Sequence, residues 1–301
     1  MKRYLPHVIA FVVIVVWGST FVFTKLLLLG GLTAAQIFIL RFVIAYVLLL
    51  GYCLVKGMRW MADSWRDELL MVALGVTGGS LYFMTENSAM NYTTTTNTSI
   101  IVSLCPLFAS AIIGLFYKTE RLSRLQTIGT LVAATGVIIV VMNGHFVLHL
   151  SPRGDLLAFA ACLCWAVYSL LMIPANARYD IVFVTRKVFF YGLLSMIPYY
   201  IIYPGLNLHL ILTQPQLMWN LLFLGCIASM LCFLTWNWVL KRLGAVVATN
   251  YVYLNPAITI VFAWFILDES ITGWFILGTV LILLGMYLAD KKNSESTITK
   301  Q

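Results

Sequence analysis

Apolar residues fall along this chain in long, nearly unbroken runs rather than in the short alternating segments of barrel strands. Runs long enough to cross a hydrocarbon layer of roughly 30 Å cover positions 7–29, 34–55, 69–89, 96–116, 125–143, 155–174, 183–203, 217–240, 247–267 and 273–290. Continuous text such as VLLLGYCLV and GTVLILLGMYLA predicts helices, because a spanning segment must satisfy its backbone hydrogen bonds internally. Ten such spans use nearly the whole chain and leave no room for a sizeable soluble domain. The predicted class is therefore all-α and polytopic in the membrane. The first run follows Met1-Lys2-Arg3, but it is longer than the apolar core of a signal peptide and reads as an uncleaved span.

The pattern repeats. Residues 82–106, YFMTENSAMNYTTTTNTSIIVSLCP, are echoed by 232–256, CFLTWNWVLKRLGAVVATNYVYLNP. A shift of 150 places Phe83 on Phe233, Asn87 on Asn237, Leu104 on Leu254 and Pro106 on Pro256. Trp17 answers to Trp165 at an offset of 148 and Arg41 to Arg186 at 145, while Glu120, Gly129 and Gly136 answer to Glu269, Gly278 and Gly285 at 149. This divides the chain into a five-span unit over 1–145, a second over 146–291, and a tail over 292–301. Five is odd, so the second unit enters the membrane in the opposite sense, the inverted repeat of many secondary transporters.

A Trp in the first helix, an Arg entering the second, a Pro in the fourth and a Glu before a Gly-rich fifth, each occurring twice, resemble the EamA family of the drug/metabolite transporter superfamily. The resemblance spans about residues 7–290. It implies a ten-helix carrier working by alternating access around a central cavity, commonly an exporter of amino acids or other small metabolites. Nucleosides, drugs and other amphipathic organic cations are the alternative cargo. The repeat sets Trp236 against Glu86, so nothing carried by Glu86 follows from symmetry.

Composition agrees with the membrane assignment: 61% of residues are hydrophobic and 10% charged, with a mean hydropathy of +0.94. The net charge of +8 is a topology signal rather than a nucleic-acid footprint, because basic loops stay cytoplasmic. With the N-terminus inside, the inner loops hold Lys2, Arg3, Lys56, Arg59, Arg66, Lys118, Arg121, Arg124, Arg178, Lys241 and Arg242, and the tail adds Lys291, Lys292 and Lys300. The outer loops hold only Arg153. Both termini are thus expected in the cytoplasm of a cell with the protein in its inner membrane.

Ionisable groups inside spans are costly and usually face a cavity or a partner. Glu86, Lys25 and Arg41 lie at similar depth in the outer half, and two readings stand. In one, Lys25 snorkels outward while Arg41 and Glu86 pair to hold helices together. In the other, Glu86 binds a substrate ammonium or a proton, and a basic side chain receives a carboxylate. Trp17, Ser19, Thr20, Tyr82, Asn87, Trp165, Tyr168, Trp236, Asn237, Tyr251 and Asn255 supply rings and neutral hydrogen-bonding groups around this level. Tyr82 shares a helical face with Glu86, as Tyr251 does with Asn255. Pro106 and Pro256 each free a carbonyl within their helices and are candidate kinks or hinges. The Gly-x6-Gly spacing in spans five and ten suits close helix packing or a homodimer contact. Glu120 and Glu269 are expected to cap the following helices.

The six cysteines fall in apolar spans and suggest no disulfide or zinc site. His145 and His149 read as a solvated pair, and no metal or cofactor is expected. The chain has no phosphate-binding glycine loop and no Ser/His/Asp arrangement, so the expectation is a carrier driven by a gradient or by exchange, not an enzyme. A channel would want a continuous polar stripe, which the sequence does not offer.

Overall fold

A computed structural model of the chain describes residues 4–93, 98, 101–117, 122–142, 151–202, 205, 208–267 and 273–298. Glu120, Glu269, His145 and His149, with the loop and tail residues Lys2, Arg3, Lys118, Arg121 and Lys300, lie outside the described residues.

The helices follow the apolar runs. The longer ones are α1 (Leu5–Leu29), α2 (Ala34–Val55), α3 (Trp65–Tyr92), α4 (Cys105–Phe116), α5 (Arg124–Met142), α6 (Pro152–Arg178), α7 (Ile181–Ile202), α8 (Pro215–Leu243), α9 (Ala245–Ile266) and α10 (Gly273–Ile298), and a short helix at Leu208–Thr213 lies between α7 and α8. Seven, namely α1, α2, α3 and α6 to α9, are long and apolar enough to cross a membrane; α4, α5 and α10 carry shorter apolar stretches. Among the described residues there is no strand. The expected tail over 292–301 is helical as far as Ile298, continuing α10.

Local sequence sets where the helices begin and stop. Thr33 and Gln36 form a reciprocal capping box at the start of α2. Ser64 caps α3 and Asp180 caps α7. Between α8 and α9 the chain reverses on a single residue, Gly244, at φ +82°, where its N–H closes α8 on the Leu240 carbonyl. A side chain would be strained there.

The helices of the two halves interleave. α1 packs on α8 and α9, and its counterpart α6 packs on α3 and α4. α2 packs on α8 as α7 packs on α3, while α2 meets α7 and α5 meets α10 across the axis relating the halves. The ends confirm the inversion: Arg178 at the end of α6 lies 2.6 Å from Asp67 at the start of α3, and Gln36 at the start of α2 donates to the Gly205 carbonyl after α7. Two odd-numbered repeats running in opposite senses require both junctions.

The contact between α5 and α10 runs through the paired glycines. A Cβ on Gly136 would lie 2.6 Å from the Gly278 carbonyl oxygen, and one on Gly285 would lie 2.5 Å from that of Gly129. The Gly-x6-Gly spacing therefore packs two helices of one chain, backbone against backbone. Gly136→Leu is expected to destabilise the fold by about 1–3 kcal/mol or more, the usual cost of overpacking, and a lowered melting midpoint of the detergent-solubilised protein checks it.

One end of the bundle holds a charged cluster. Lys187 on α7 pairs with Glu68 on α3, whose carboxylate also accepts from the Tyr191 hydroxyl and the Ala62 amide. Arg186 donates to the Arg59 and Trp60 carbonyls of the α2–α3 loop. The corresponding contact at the opposite end is apolar, built from Leu27, Leu32, Ile37, Ile211, Leu217, Leu221 and Leu224.

Candidate functional site

The site is positioned by two irregular turns that the repeat places equivalently. α3 passes through a π-helical turn at Val76–Leu81 and α8 through one at Phe223–Leu231. Such turns insert extra residues into the helix and free carbonyls that then need partners. The Trp17 indole N–H donates to the Ala228 carbonyl in the second turn at 2.9 Å, and the Ser229 hydroxyl beside it accepts from Arg41 Nε at 2.9 Å. Close approach is allowed by Gly225, where a Cβ would stand 2.7 Å from Ile44, and by Gly75, where it would stand 2.6 Å from Tyr191.

Just beyond these turns, helices of both halves line a small, largely filled cavity with about 30 Å³ of open volume. Its walls are Trp17, Thr20, Phe21, Arg41, Tyr82, Phe83, Glu86, Val102, Cys105, Trp165, Phe233, Val252 and Asn255. Four pairs among these are repeat equivalents: Trp17 with Trp165, Phe83 with Phe233, Val102 with Val252, and Cys105 with Asn255. The cavity thus lies on the axis relating the two halves. Trp17 meets Trp165 edge-on at 5.5 Å between centroids, and Trp165 stands 5.2 Å from Tyr82, so the wall is continuous aromatic surface.

Glu86, set against Trp236 in the repeat, and Arg41, whose repeat equivalent Arg186 lies outside the wall, both line the cavity. The Tyr82 hydroxyl donates to one Glu86 oxygen at 2.8 Å; the other is left to the cavity. Arg41 is held by Ser229 and lies with its guanidinium carbon 4.4 Å from the centre of the Phe83 ring. Ion pairs among the described residues join Arg59 to Asp63, Arg178 to Asp67 and Lys187 to Glu68. Arg41 and Glu86 are not among them, which corrects the expectation of a helix-holding pair: a neutral hydroxyl and a ring face hold the guanidinium instead. Lys25 does not snorkel free either. Its ammonium donates to the Met90 carbonyl at 3.2 Å near the end of α3, one turn beyond Glu86 and outside the cavity wall.

The remaining candidates divide by helix face. Trp17, Thr20, Tyr82, Trp165 and Asn255 reach the cavity. Thr20 and Ser19 turn their hydroxyls back onto the Trp17 and Val16 carbonyls of their own helix. Trp236 packs behind the wall, 5.1 Å from Trp17. Asn237 ties three helices together: its Oδ1 accepts from the Tyr168 hydroxyl at 2.9 Å and its Nδ2 donates to Thr185 at 2.8 Å. Its repeat equivalent Asn87 donates to the Ala34 carbonyl at 3.4 Å. Tyr251 lies 2.7 Å from His7 through its hydroxyl, away from the cavity wall. Pro106 is the second residue of α4, and Pro256 is the second residue of the helical segment Asn255–Leu267, which follows a 3-10 turn at Tyr251–Leu254. Both prolines therefore open a helical segment, where their missing N–H costs little, rather than interrupting one.

Sequence reading missed Phe21, Phe83, Val102, Cys105, Phe233 and Val252 as wall residues, and Ser229 as the group that holds Arg41. For Phe83 and Phe233 the repeat already offered the signal, since the two coincide at an offset of 150. Among the described residues no three His, Cys, Asp or Glu side chains gather as a metal ion would require.

Comparison with known proteins gives the same architecture. A solved crystal structure matches with a TM-score of 0.75 over 94% of this chain and 96% of that one at 18% identity, which concerns the fold alone. An "uncharacterized transporter" of Archaeoglobus fulgidus is 28% identical over 96% of this chain and 98% of its own length. A "probable amino-acid metabolite efflux pump" of Escherichia coli is 25% identical over 93% of each chain. A "probable terminal-alkyne amino-acid exporter" of Streptantibioticus cattleyicolor is 25% identical over 93% of this chain and 91% of its own. The sequence pattern of the EamA-like transporter family is matched twice, over residues 5–142 and 152–289. With two inverted copies of that unit making up nearly its whole length, this multi-pass membrane protein belongs to the EamA-like transporter family.

Proposed function

We propose that this transporter exports small α-amino acids or closely related zwitterionic metabolites by alternating access through the central cavity. The observation that carries the reading is a carboxylate and a guanidinium lining one cavity without pairing with each other. Neither makes a hydrogen bond or ion-pair contact with the other, and a zwitterion supplies a direct partner to both at once: its ammonium to Glu86 and its carboxylate to the free terminal nitrogens of Arg41. The aromatic walls receive the side chain. Relatives named as amino-acid exporters support the cargo class and the direction. In this reading the charged end of the bundle faces the cytoplasm of the cell membrane, in accordance with its basic loops, and the chain bends at the starts of the helical segments opened by Pro106 and Pro256 as the halves rock. No gradient-specific group is assigned, so exchange or an ion gradient supplies the energy.

Counterflow into proteoliposomes tests it. Labelled amino acid outside is expected to accumulate against unlabelled amino acid inside, which a channel does not produce. Arg41→Met is expected to cut this exchange about tenfold or more, the loss of a charge-assisted hydrogen bond worth about 1.5–3 kcal/mol, while simple amines compete better than before. If the native protein exchanges organic amines and not amino acids, the cargo is a cation and the reading is wrong.

A further inference from the structure

We propose that the substrate side chain carries a hydroxyl or carboxamide, and that Trp165 and Asn255 are the groups that recognise it; this rests on the amino-acid reading of the same cavity. The two halves differ first at their paired tryptophans. Trp17 and Trp165 occupy the same place in the two repeats, and both reach the cavity. Trp17 uses its indole N–H on the Ala228 carbonyl of the π-helical turn in α8. Trp165 is 5% exposed, and its N–H has no acceptor among the described residues.

The second broken equivalence is Cys105 against Asn255. The first half places a thiol at this point of the wall, and the second half places a carboxamide. Asn255 is also 5% exposed, and its Oδ1 accepts from no donor among the described residues. Buried polar groups are ordinarily satisfied, and those that are not call for a partner. Here one donor and one acceptor without partners border the same cavity, both from the second half, while Glu86 and Arg41 come from the first.

The division suggests two jobs. The first half holds the ammonium and carboxylate common to all amino acids. The second half meets the side chain, and a group that both accepts and donates is matched to the donor of Trp165 and the acceptor of Asn255. A hydroxyl and a carboxamide each do so; a methyl group leaves both unpaired. Sites built to hydrogen-bond a substrate discriminate strongly against analogues that lack the group. Trp236, whose indole N–H is likewise without a partner, does not line the cavity and takes no part.

The test uses the reconstituted full chain and two isosteric pairs, threonine against valine and asparagine against leucine, as competitors of labelled serine counterflow. The polar member of at least one pair is expected to compete about tenfold or more better than its apolar partner. Trp165→Phe keeps the ring and removes the N–H; Asn255→Leu keeps the shape and removes both polar atoms. In either variant the ratio between members of the pair is expected to fall toward one, with melting midpoints reporting that the variants are folded. Equal competition within both pairs by the native protein overturns the proposal, as does full discrimination retained by both variants. If neither serine, asparagine nor alanine gives counterflow, the amino-acid reading fails and this proposal falls with it; if amino acids exchange but the pairs are not distinguished, only the side-chain reading falls.

Discussion

Glu86→Gln is expected to reduce amino-acid counterflow by at least about tenfold, with the melting midpoint of the purified protein changed little. The substitution keeps the shape of the side chain and leaves an oxygen to accept from the Tyr82 hydroxyl, which now stands 2.8 Å away. What it removes is the charge that an incoming ammonium would meet. A charge-assisted hydrogen bond in a poorly solvated site contributes about 1.5–3 kcal/mol, so its loss corresponds to roughly ten- to a hundredfold in apparent affinity or rate. Because Arg41 is held by Ser229 and the Phe83 ring rather than by Glu86, neutralising Glu86 does not release the guanidinium. That separation makes the experiment informative. Undiminished counterflow in Glu86→Gln would mean that the carboxylate is not the ammonium receptor, whereas a protein that fails to fold would mean that Glu86 is structural after all.

Much of the architecture was legible in the sequence, and the reason is periodicity. Long apolar runs set the helices, and the coincidences of Trp17 with Trp165, Arg41 with Arg186 and the Gly-x6-Gly pairs expressed an inversion that the interleaved packing bears out. Depth along a helix could be counted, which is why Glu86, Lys25 and Arg41 were placed at one level; Glu86 and Arg41 line the cavity, whereas Lys25 turns to the Met90 carbonyl outside it. Rotation about the helix axis was not so readable. Successive residues point about 100° apart, so Asn87, adjacent to Glu86, turns to the Ala34 carbonyl. The two π-helical turns add to the difficulty, since each shifts the face presented by every residue after it. Nothing in the letters VTGGSL or FLGCIASML announced them. Ser229 was overlooked for that reason: it holds Arg41 only because the turn delivers its hydroxyl there. Repeat symmetry also misled in one respect. It gave Asn87 and Asn237 equal standing, yet Asn237 binds Tyr168 and Thr185 deep between helices, and neither asparagine forms part of the wall.

The second large effect is expected at the charged end. Lys187→Met should lower stability by about 3–5 kcal/mol, the cost of stranding a buried carboxylate without its cation. The two side chains are 5% and 4% exposed, so solvent cannot take over from the lost partner. The Tyr191 hydroxyl and the Ala62 amide still donate to Glu68, but neither brings positive charge. Removing both members, as Glu68→Gln with Lys187→Met, should recover most of the loss, because the expensive species is the lone charge rather than the absent bond. A double-mutant cycle on the melting midpoint measures this coupling, and additive losses would show that the pair does not act as a unit. The same cycle bears on transport. At the opposite end the equivalent contact is apolar, so in the proposed alternating-access cycle the two ends would part against different resistance, an ion pair at one and apolar surfaces at the other. Opening the charged end therefore carries an electrostatic cost that opening the other does not. Weakening Lys187–Glu68 should raise the reactivity of a cysteine introduced at the charged end toward a water-soluble thiol reagent, and leave one at the apolar end unchanged.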